Sequence, residues 1–142
     1  MKNDEYFLKK ALKEAEKAYH DGEIPVGAVI VLNDKIIARG HNKRDKSNVV
    51  TNHAEIIAIE RANKKVKNWR LCDCILYTTL EPCNMCKEVI KNAKISNVIY
   101  AASSNCNEKL FEVNYNKITN KKIIDESTEI IQSAFKIIRQ KK

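Results

Sequence analysis

Glycine and proline are scarce in this sequence, since its 142 residues include only three glycines and two prolines. This scarcity excludes a collagen-like chain and a disordered chain rich in those residues. A long apolar run is also lacking: the longest, Val26 to Leu32, is far below the roughly 20 residues that a membrane-spanning helix needs. With 44% hydrophobic residues the composition is globular, and we expect a single domain over residues 1–142.

The start of the sequence has no pattern of a signal peptide, because Asp4 and Glu5 stand where a basic segment is needed. We therefore expect a cytoplasmic protein without a membrane partner. Five cysteines, an odd number, then favour metal binding or catalysis over disulfide pairing. The net charge of +8 fits an anionic partner, although adenine- and thymine-rich codon usage explains it equally well.

The apolar pattern predicts helices that alternate with strands. Helical spacing covers residues 5–20, 53–62, 82–93 and 126–139, with Pro82 in the first turn of its helix. Strands are predicted at residues 26–32, 35–39, 74–79 and 97–102, with a short fifth strand at Ile123 and Ile124. This order predicts an α/β fold, a three-layer α/β/α sandwich around a mixed, roughly five-stranded sheet.

Three residues with metal-binding side chains stand at two of the predicted helix starts. Cys83 and Cys86 are three positions apart, so both sulfur atoms face one side of a first helical turn. His53 lies one helix and one strand upstream, which allows the chain to return to the same point. One nitrogen and two sulfur ligands suit Zn²⁺, and three ligands leave a fourth position for water. We predict one catalytic zinc ion per chain.

Glu55 follows His53 by two residues and is the predicted proton carrier, since it can reach water at the metal without being a ligand. A lone histidine or a lone Cys-x-x-Cys is more often structural. Here His-x-Glu and Pro-Cys-x-x-Cys occur together, which is the signature of the zinc deaminases. Cys72, Cys74 and Cys106 are poor candidates for a fourth ligand, which disfavours a purely structural site.

The sequence around these motifs resembles the tRNA-specific adenosine deaminases, a family of cytidine deaminase-like zinc enzymes. The matching stretches are residues 22–29, 40–42, 53–55, 68–71 and 76–86. The resemblance implies a cytidine deaminase-like fold, a homodimer, and conversion of the wobble adenosine of a tRNA anticodon to inosine.

The resemblance also assigns roles to individual residues. It implies His53, Cys83 and Cys86 as zinc ligands, Glu55 as the proton shuttle and Asn42 as a contact to the target base. The basic residues that it implies as RNA contacts follow Asn42 or lie near the end of the chain. They are Lys43, Arg44, Lys136, Arg139, Lys141 and Lys142.

Three departures from the family pattern stand out. Residues 102–110 contain no glycine, so we expect this loop to follow a different path. Lys87 and Glu88 follow Cys86 where the family has small residues, and Asn52 replaces a small residue before His53.

Two other functions remain open at this point. One is a deaminase of a free base or nucleoside, such as guanine, cytosine or cytidine. The other is a zinc-stabilised nucleic-acid-binding module without activity. Glu55 disfavours the module, because a structural zinc site has no chemical need for it.

Overall fold

The computed structural model describes residues 2–104 and 112–140, and the chain divides into two compact units, Met1–Asn107 and Glu108–Lys142. Cys106, Lys141 and Lys142 lie outside the described residues. The elements in chain order are α1 (Asp4–His20), β1 (Gly27–Leu32), β2 (Lys35–His41), α2 (Arg44–Ser47), α3 (Ala54–Val66), β3 (Ile75–Leu80), α4 (Asn84–Asn92), β4 (Asn97–Ala102) and α5 (Lys121–Gln140).

The sheet of the first unit has the strand order β2-β1-β3-β4. Strand β1 pairs antiparallel with both β2 and β3, while β3 and β4 run parallel and are connected through α4. Asn33 and Asp34 make the β1–β2 turn with φ of 51° and 64°, the left-handed values that a tight hairpin requires. The predicted mixed sheet is therefore confirmed, and its first two strands form a hairpin.

Helices cover both faces of this sheet. Val29 and Val31 of β1 pack in one core cluster with Phe7 and Ala11 of α1. Ala28 and Ile30, which point to the opposite face, belong to a second core cluster. That cluster includes Ala54, Ala58, Ile59 and Ala62 of α3 and Ile90 of α4. The predicted three-layer sandwich is confirmed, and burial on both faces explains the unbroken apolar run of β1.

Two glycines bring the helices close to the sheet. A Cβ at Gly27 would lie 2.0 Å from the carbonyl oxygen of Ala11 in α1. A Cβ at Gly40 would lie 2.5 Å from the carbonyl oxygen of Ala54 in α3. The start of α3 therefore rests directly on the backbone of β2.

The fifth strand was a wrong prediction, since the sheet has four strands within the described residues. Ile123 and Ile124 lie in the first turn of α5 instead. The side-chain oxygen of Asn120 accepts a hydrogen bond from the Ile123 N–H at 3.3 Å, which satisfies one free donor at the helix start. This contact and the continuing helical spacing outweigh the strand preference of two adjacent β-branched residues.

Two local predictions also needed correction. Pro82 stands before α4 rather than in its first turn, because Cys83 is the N-cap residue and the helix begins at Asn84. Residues 44–47, for which no helix was predicted, form the short helix α2. No helix in the described parts of the chain is long and apolar enough to cross a membrane. The single domain over residues 1–142 stays a prediction.

Candidate metal centre

The amino-terminal ends of α3 and α4 meet beside the sheet. His53 is the N-cap residue of α3 and Cys83 is the N-cap residue of α4, and both have extended backbone conformations. Cys86 is the third residue of α4 and is completely buried. Two helix amino termini therefore direct their free N–H groups and positive dipole ends towards this region, which favours thiolates.

Three side chains form the candidate metal centre: His53, Cys83 and Cys86. Their ligand atoms all lie within 4.8 Å of one another. The Nδ1 atom of His53 is 3.7 Å from Sγ of Cys83 and 3.6 Å from Sγ of Cys86. The sequence therefore identified three side chains that the fold brings together across 30 residues of chain.

The donor set and its spacing fit a zinc ion. A tetrahedral zinc site with ordinary Zn–N and Zn–S distances separates a nitrogen from a sulfur ligand by about 3.6 Å. The two observed nitrogen–sulfur distances, 3.6 and 3.7 Å, agree with this value. Nitrogen and sulfur are also the ligand atoms that zinc prefers.

Glu55 is the second residue of α3 and only 4% of its side chain is exposed. Burial raises the pKa of this carboxyl group above its usual range, against the lowering effect of its own backbone N–H and of Cys86. Burial raises the pKa of the Cys86 thiol as well, and the nearby Glu55 carboxylate adds to the effect. Glu55 and Cys86 are therefore buried neighbours, while His53 and Cys83 are only partly buried.

Asn42 follows β2 and its side chain is buried. Its Nδ2 donates to the carbonyl oxygen of Ile24 at 3.4 Å, and its Oδ1 accepts from the Arg44 N–H at 3.3 Å. Lys43 is the N-cap residue of α2 and Arg44 is its exposed first residue. These three residues lie in the first unit of the chain, while Lys136 and Arg139 lie on α5 in the second.

Two groups near Asn42 were not singled out from the sequence. Glu23 is buried and accepts hydrogen bonds from the N–H groups of Asp45 and Lys46. His41 ends β2, and its Nδ1 lies 3.3 Å from the buried carboxylate of Glu14. Glu23 and His41 lie within the stretches that match the family pattern, residues 22–29 and 40–42, and this is the signal that the sequence offers for them.

The family model for the cytidine and deoxycytidylate deaminase zinc-binding region matches residues 1–102, which include the whole candidate metal centre. The chain belongs to this deaminase family. Its sequence is 52% identical over 99 residues to a tRNA-specific adenosine deaminase of Streptococcus pyogenes, covering 70% of this chain and 62% of the relative. A tRNA-specific adenosine deaminase of Buchnera aphidicola is 39% identical, with 94% of each chain covered.

Two solved deaminase structures are similar to this chain. One, from a study of A-to-I editing by tRNA:A34 deaminases at the wobble position, has a TM-score of 0.70 and 42% identity, covering 71% of this chain and 73% of the other. The other, guanine deaminase from Bacillus subtilis, has a TM-score of 0.77 and 33% identity, covering 90% and 94%. The family resemblance stated from the sequence is therefore confirmed. The matched part of the chain spans 62% of the length of the Streptococcus pyogenes relative.

Proposed function

We propose that this protein converts adenosine to inosine at the wobble position of a tRNA anticodon, by zinc-dependent hydrolysis. The observation that carries the proposal is the group of three metal-binding side chains with buried Glu55 beside it. Relatives named tRNA-specific adenosine deaminases, at 39% to 52% identity, support the substrate class.

The three candidate ligands and Glu55 have separate proposed roles in the reaction. His53, Cys83 and Cys86 would hold the zinc ion, which supplies Lewis-acid activation of water when it is bound. Glu55 accepts a proton from the attacking water and delivers it to the purine ring, and then assists departure of the amine. The C–O bond forms first, as the ring nitrogen is protonated, and the exocyclic C–N bond breaks afterwards, when the second proton of the water leaves with the amine. Adenosine and water therefore give inosine and ammonia.

Asn42 is the proposed contact to the target base, because an amide offers both a donor and an acceptor to a purine edge. Lys43, Arg44, Lys136 and Arg139 are the proposed contacts to RNA phosphates. The target base of an anticodon loop is unpaired, so moving it into a pocket costs less than flipping it out of a duplex.

The direct test uses the purified full chain loaded with zinc. It is incubated with an unmodified arginine tRNA anticodon stem-loop, and inosine is read by sequencing after reverse transcription. We expect conversion at the wobble adenosine and at no other adenosine. Absence of conversion by zinc-loaded protein would refute the proposal.

A second candidate function is deamination of free guanine, which the similarity to Bacillus subtilis guanine deaminase over 90% of this chain supports. A screen for ammonia release from guanine, cytosine and cytidine separates the two functions. Ammonia from guanine without inosine in tRNA favours this second candidate. Inosine in tRNA without ammonia from free bases favours the first.

The zinc assignment has its own test, which does not depend on activity. We expect one zinc ion per chain by elemental analysis of the wild type, and its loss from Cys86→Ala. Cys72→Ser is the matched control, because Cys72 is an exposed cysteine before β3. Equal zinc content in the two variants would contradict the assignment.

We further propose a cytoplasmic homodimer. A tRNA substrate is compatible with a cytoplasmic location, and the resemblance to the tRNA-specific adenosine deaminases supports the dimer. Light scattering of the zinc-loaded protein tests the dimer directly, with a mass of twice 16.3 kDa expected. A mass of 16.3 kDa at assay concentration would exclude it.

A further inference from the structure

The segment that carries Asn42 is held by the residues just before β1. The backbone N–H of Asn42 donates to the carbonyl oxygen of Val26 at 3.1 Å, and its side chain donates to that of Ile24. The Glu23 carboxylate extends the same set of contacts. Its Oε1 accepts the Asp45 N–H at 3.0 Å and its Oε2 accepts the Lys46 N–H at 2.6 Å.

Asp45 and Lys46 are the second and third residues of α2, where N–H groups have no partner inside the helix. The N-cap residue Lys43 provides no side-chain hydrogen bond to them. Glu23 therefore takes the place of a capping side chain from a distant point in the sequence. A helix of four residues does not persist without such tertiary support.

Glu23 is itself fixed in position. Its side chain is only 6% exposed, and its backbone N–H donates to the carbonyl oxygen of Ala18 at the end of α1. The carboxylate thus connects a stable helix to the short segment after Asn42. Hydrogen bonds from N–H groups to a buried carboxylate are stronger than neutral ones.

We propose that Glu23 is a positioning residue for substrate binding, which fixes Asn42 and Arg44 by holding the start of α2. Arg44 is the first residue of α2, and its N–H donates to the side chain of Asn42. Release of α2 would therefore free both the proposed base contact and a proposed phosphate contact. This inference rests on the proposed function for the identity of the substrate.

The test compares Glu23→Gln and Glu23→Ala with the wild type. Glutamine keeps the size of the side chain and one acceptor oxygen, whereas alanine removes both acceptors. Amide hydrogen exchange at Asp45 and Lys46, measured by NMR, should accelerate by roughly tenfold in Glu23→Gln and further in Glu23→Ala. Glu16→Gln is the matched control, because Glu16 is an exposed glutamate of α1.

The kinetic arm separates positioning from a general loss of structure. We expect Glu23→Gln to raise KM for the anticodon stem-loop by roughly tenfold, with kcat within about twofold of the wild type and zinc content unchanged. Unchanged exchange at Asp45 and Lys46 would overturn the inference whatever the activity. Equal loss of kcat and zinc would overturn it as well. A wild-type protein that forms no inosine refutes the proposed function alone.

Discussion

Glu55 and the three candidate ligands are held in place by contacts of different range. Cys83 and Cys86 are three positions apart, so a single helical turn places both sulfur atoms on one side. The approach of His53 to within 3.7 Å of Cys83 depends on α3, β3 and their packing. The burial of Glu55 depends on the same packing.

The proposed role of Glu55 in proton transfer leads to a prediction for this one side chain. Glu55→Gln keeps the shape of the side chain but removes its ability to accept and return a proton. We expect inosine formation to fall by about 100- to 10,000-fold. Zinc content by elemental analysis should be unchanged, because Glu55 is not one of the three donors.

Glu60→Gln is the matched control, since Glu60 is an exposed residue of the same helix. It should retain wild-type turnover. If Glu55→Gln were equally active, proton transfer would have to occur elsewhere. If Glu55→Gln, Glu60→Gln and the wild type all bound RNA but formed no inosine, the non-catalytic module would be the better interpretation.

Some residues near the site lay beyond sequence reasoning. Glu23 accepts hydrogen bonds from N–H groups 22 and 23 positions away, and Glu14 and His41 are 27 positions apart along the chain. Their contacts arise from the meeting of α1, β2 and α2, which no local pattern encodes. The sequence could therefore predict which three side chains form the candidate metal centre, but not the polar contacts that support the neighbouring segment.

At the level of elements, contact between α3 and β2 determines where His53 and Glu55 lie. Gly40 permits this contact, because a Cβ there would come within 2.5 Å of the Ala54 oxygen and 2.8 Å of the Ala58 nitrogen. Ala54 directly follows His53 in the chain. A change at Gly40 should therefore disturb both folding and the candidate metal centre.

We predict that Gly40→Ala lowers the free energy of unfolding by about 1–3 kcal/mol, because α3 or β2 must shift. Urea denaturation measures this loss, and zinc affinity from competition with a chelator should decrease as well. Gly22→Ala is the control: its Cβ would meet nothing within 4 Å, although φ of +77° costs it some stability. A Gly40→Ala protein with wild-type zinc affinity would show that the α3 start is not fixed by this contact.

Helix α1 and strand β2 are joined by a buried carboxylate. Burial acts to raise the pKa of Glu14, but hydrogen bonds from Lys17 and His41 outweigh it, and the pKa lies below its ordinary value of 4.5. The unfolded chain then binds a proton more readily than the folded chain. Stability from Glu14 is therefore complete above about pH 4.5 and is lost as the pH falls through the lower pKa of the folded state.

We expect the wild type to lose stability more steeply than Glu14→Gln as the pH falls below about 4.5, because Glu14→Gln has no carboxylate to titrate. Urea midpoints at a series of pH values measure the two slopes. Glu16→Gln, at an exposed position of the same helix, should follow the wild-type profile. Parallel slopes for Glu14→Gln and the wild type would contradict the assigned origin of the acid sensitivity.

Helices and strands could be predicted from the sequence where the apolar pattern extends over many residues. Residues 5–20 carry a clear helical stripe and became α1. The strand prediction for Ile123 and Ile124 was wrong. Two adjacent β-branched residues have a strand preference, but the N-cap contact from Asn120 and the helical spacing of the following residues favour a helix. Short segments are where a tertiary or capping contact outweighs local preference.

At the scale of the whole molecule, the net charge of +8 is a weak indicator of function by itself. Lysines occur along the whole chain, so a general attraction to RNA is expected from charge alone. Proximity to Asn42 gives a local criterion for which basic residues contact RNA specifically. Lys43 and Arg44 adjoin Asn42 in the first unit, while other lysines, such as Lys13, lie on the exposed face of α1.

This criterion separates a specific RNA contact from general charge. Each phosphate contact releases counterions, so the affinity falls as salt is added. Loss of one contact makes the negative slope of log K against log salt concentration shallower by about 1. We expect Arg44→Glu to bind the anticodon stem-loop at least about tenfold more weakly at low salt, with a shallower slope. Lys13→Glu makes the same change in net charge on an exposed position of α1 and should bind like the wild type. Titrations at several salt concentrations by fluorescence anisotropy measure both variants. Equal weakening of the two would mean that overall charge, rather than the segment after Asn42, attracts the RNA.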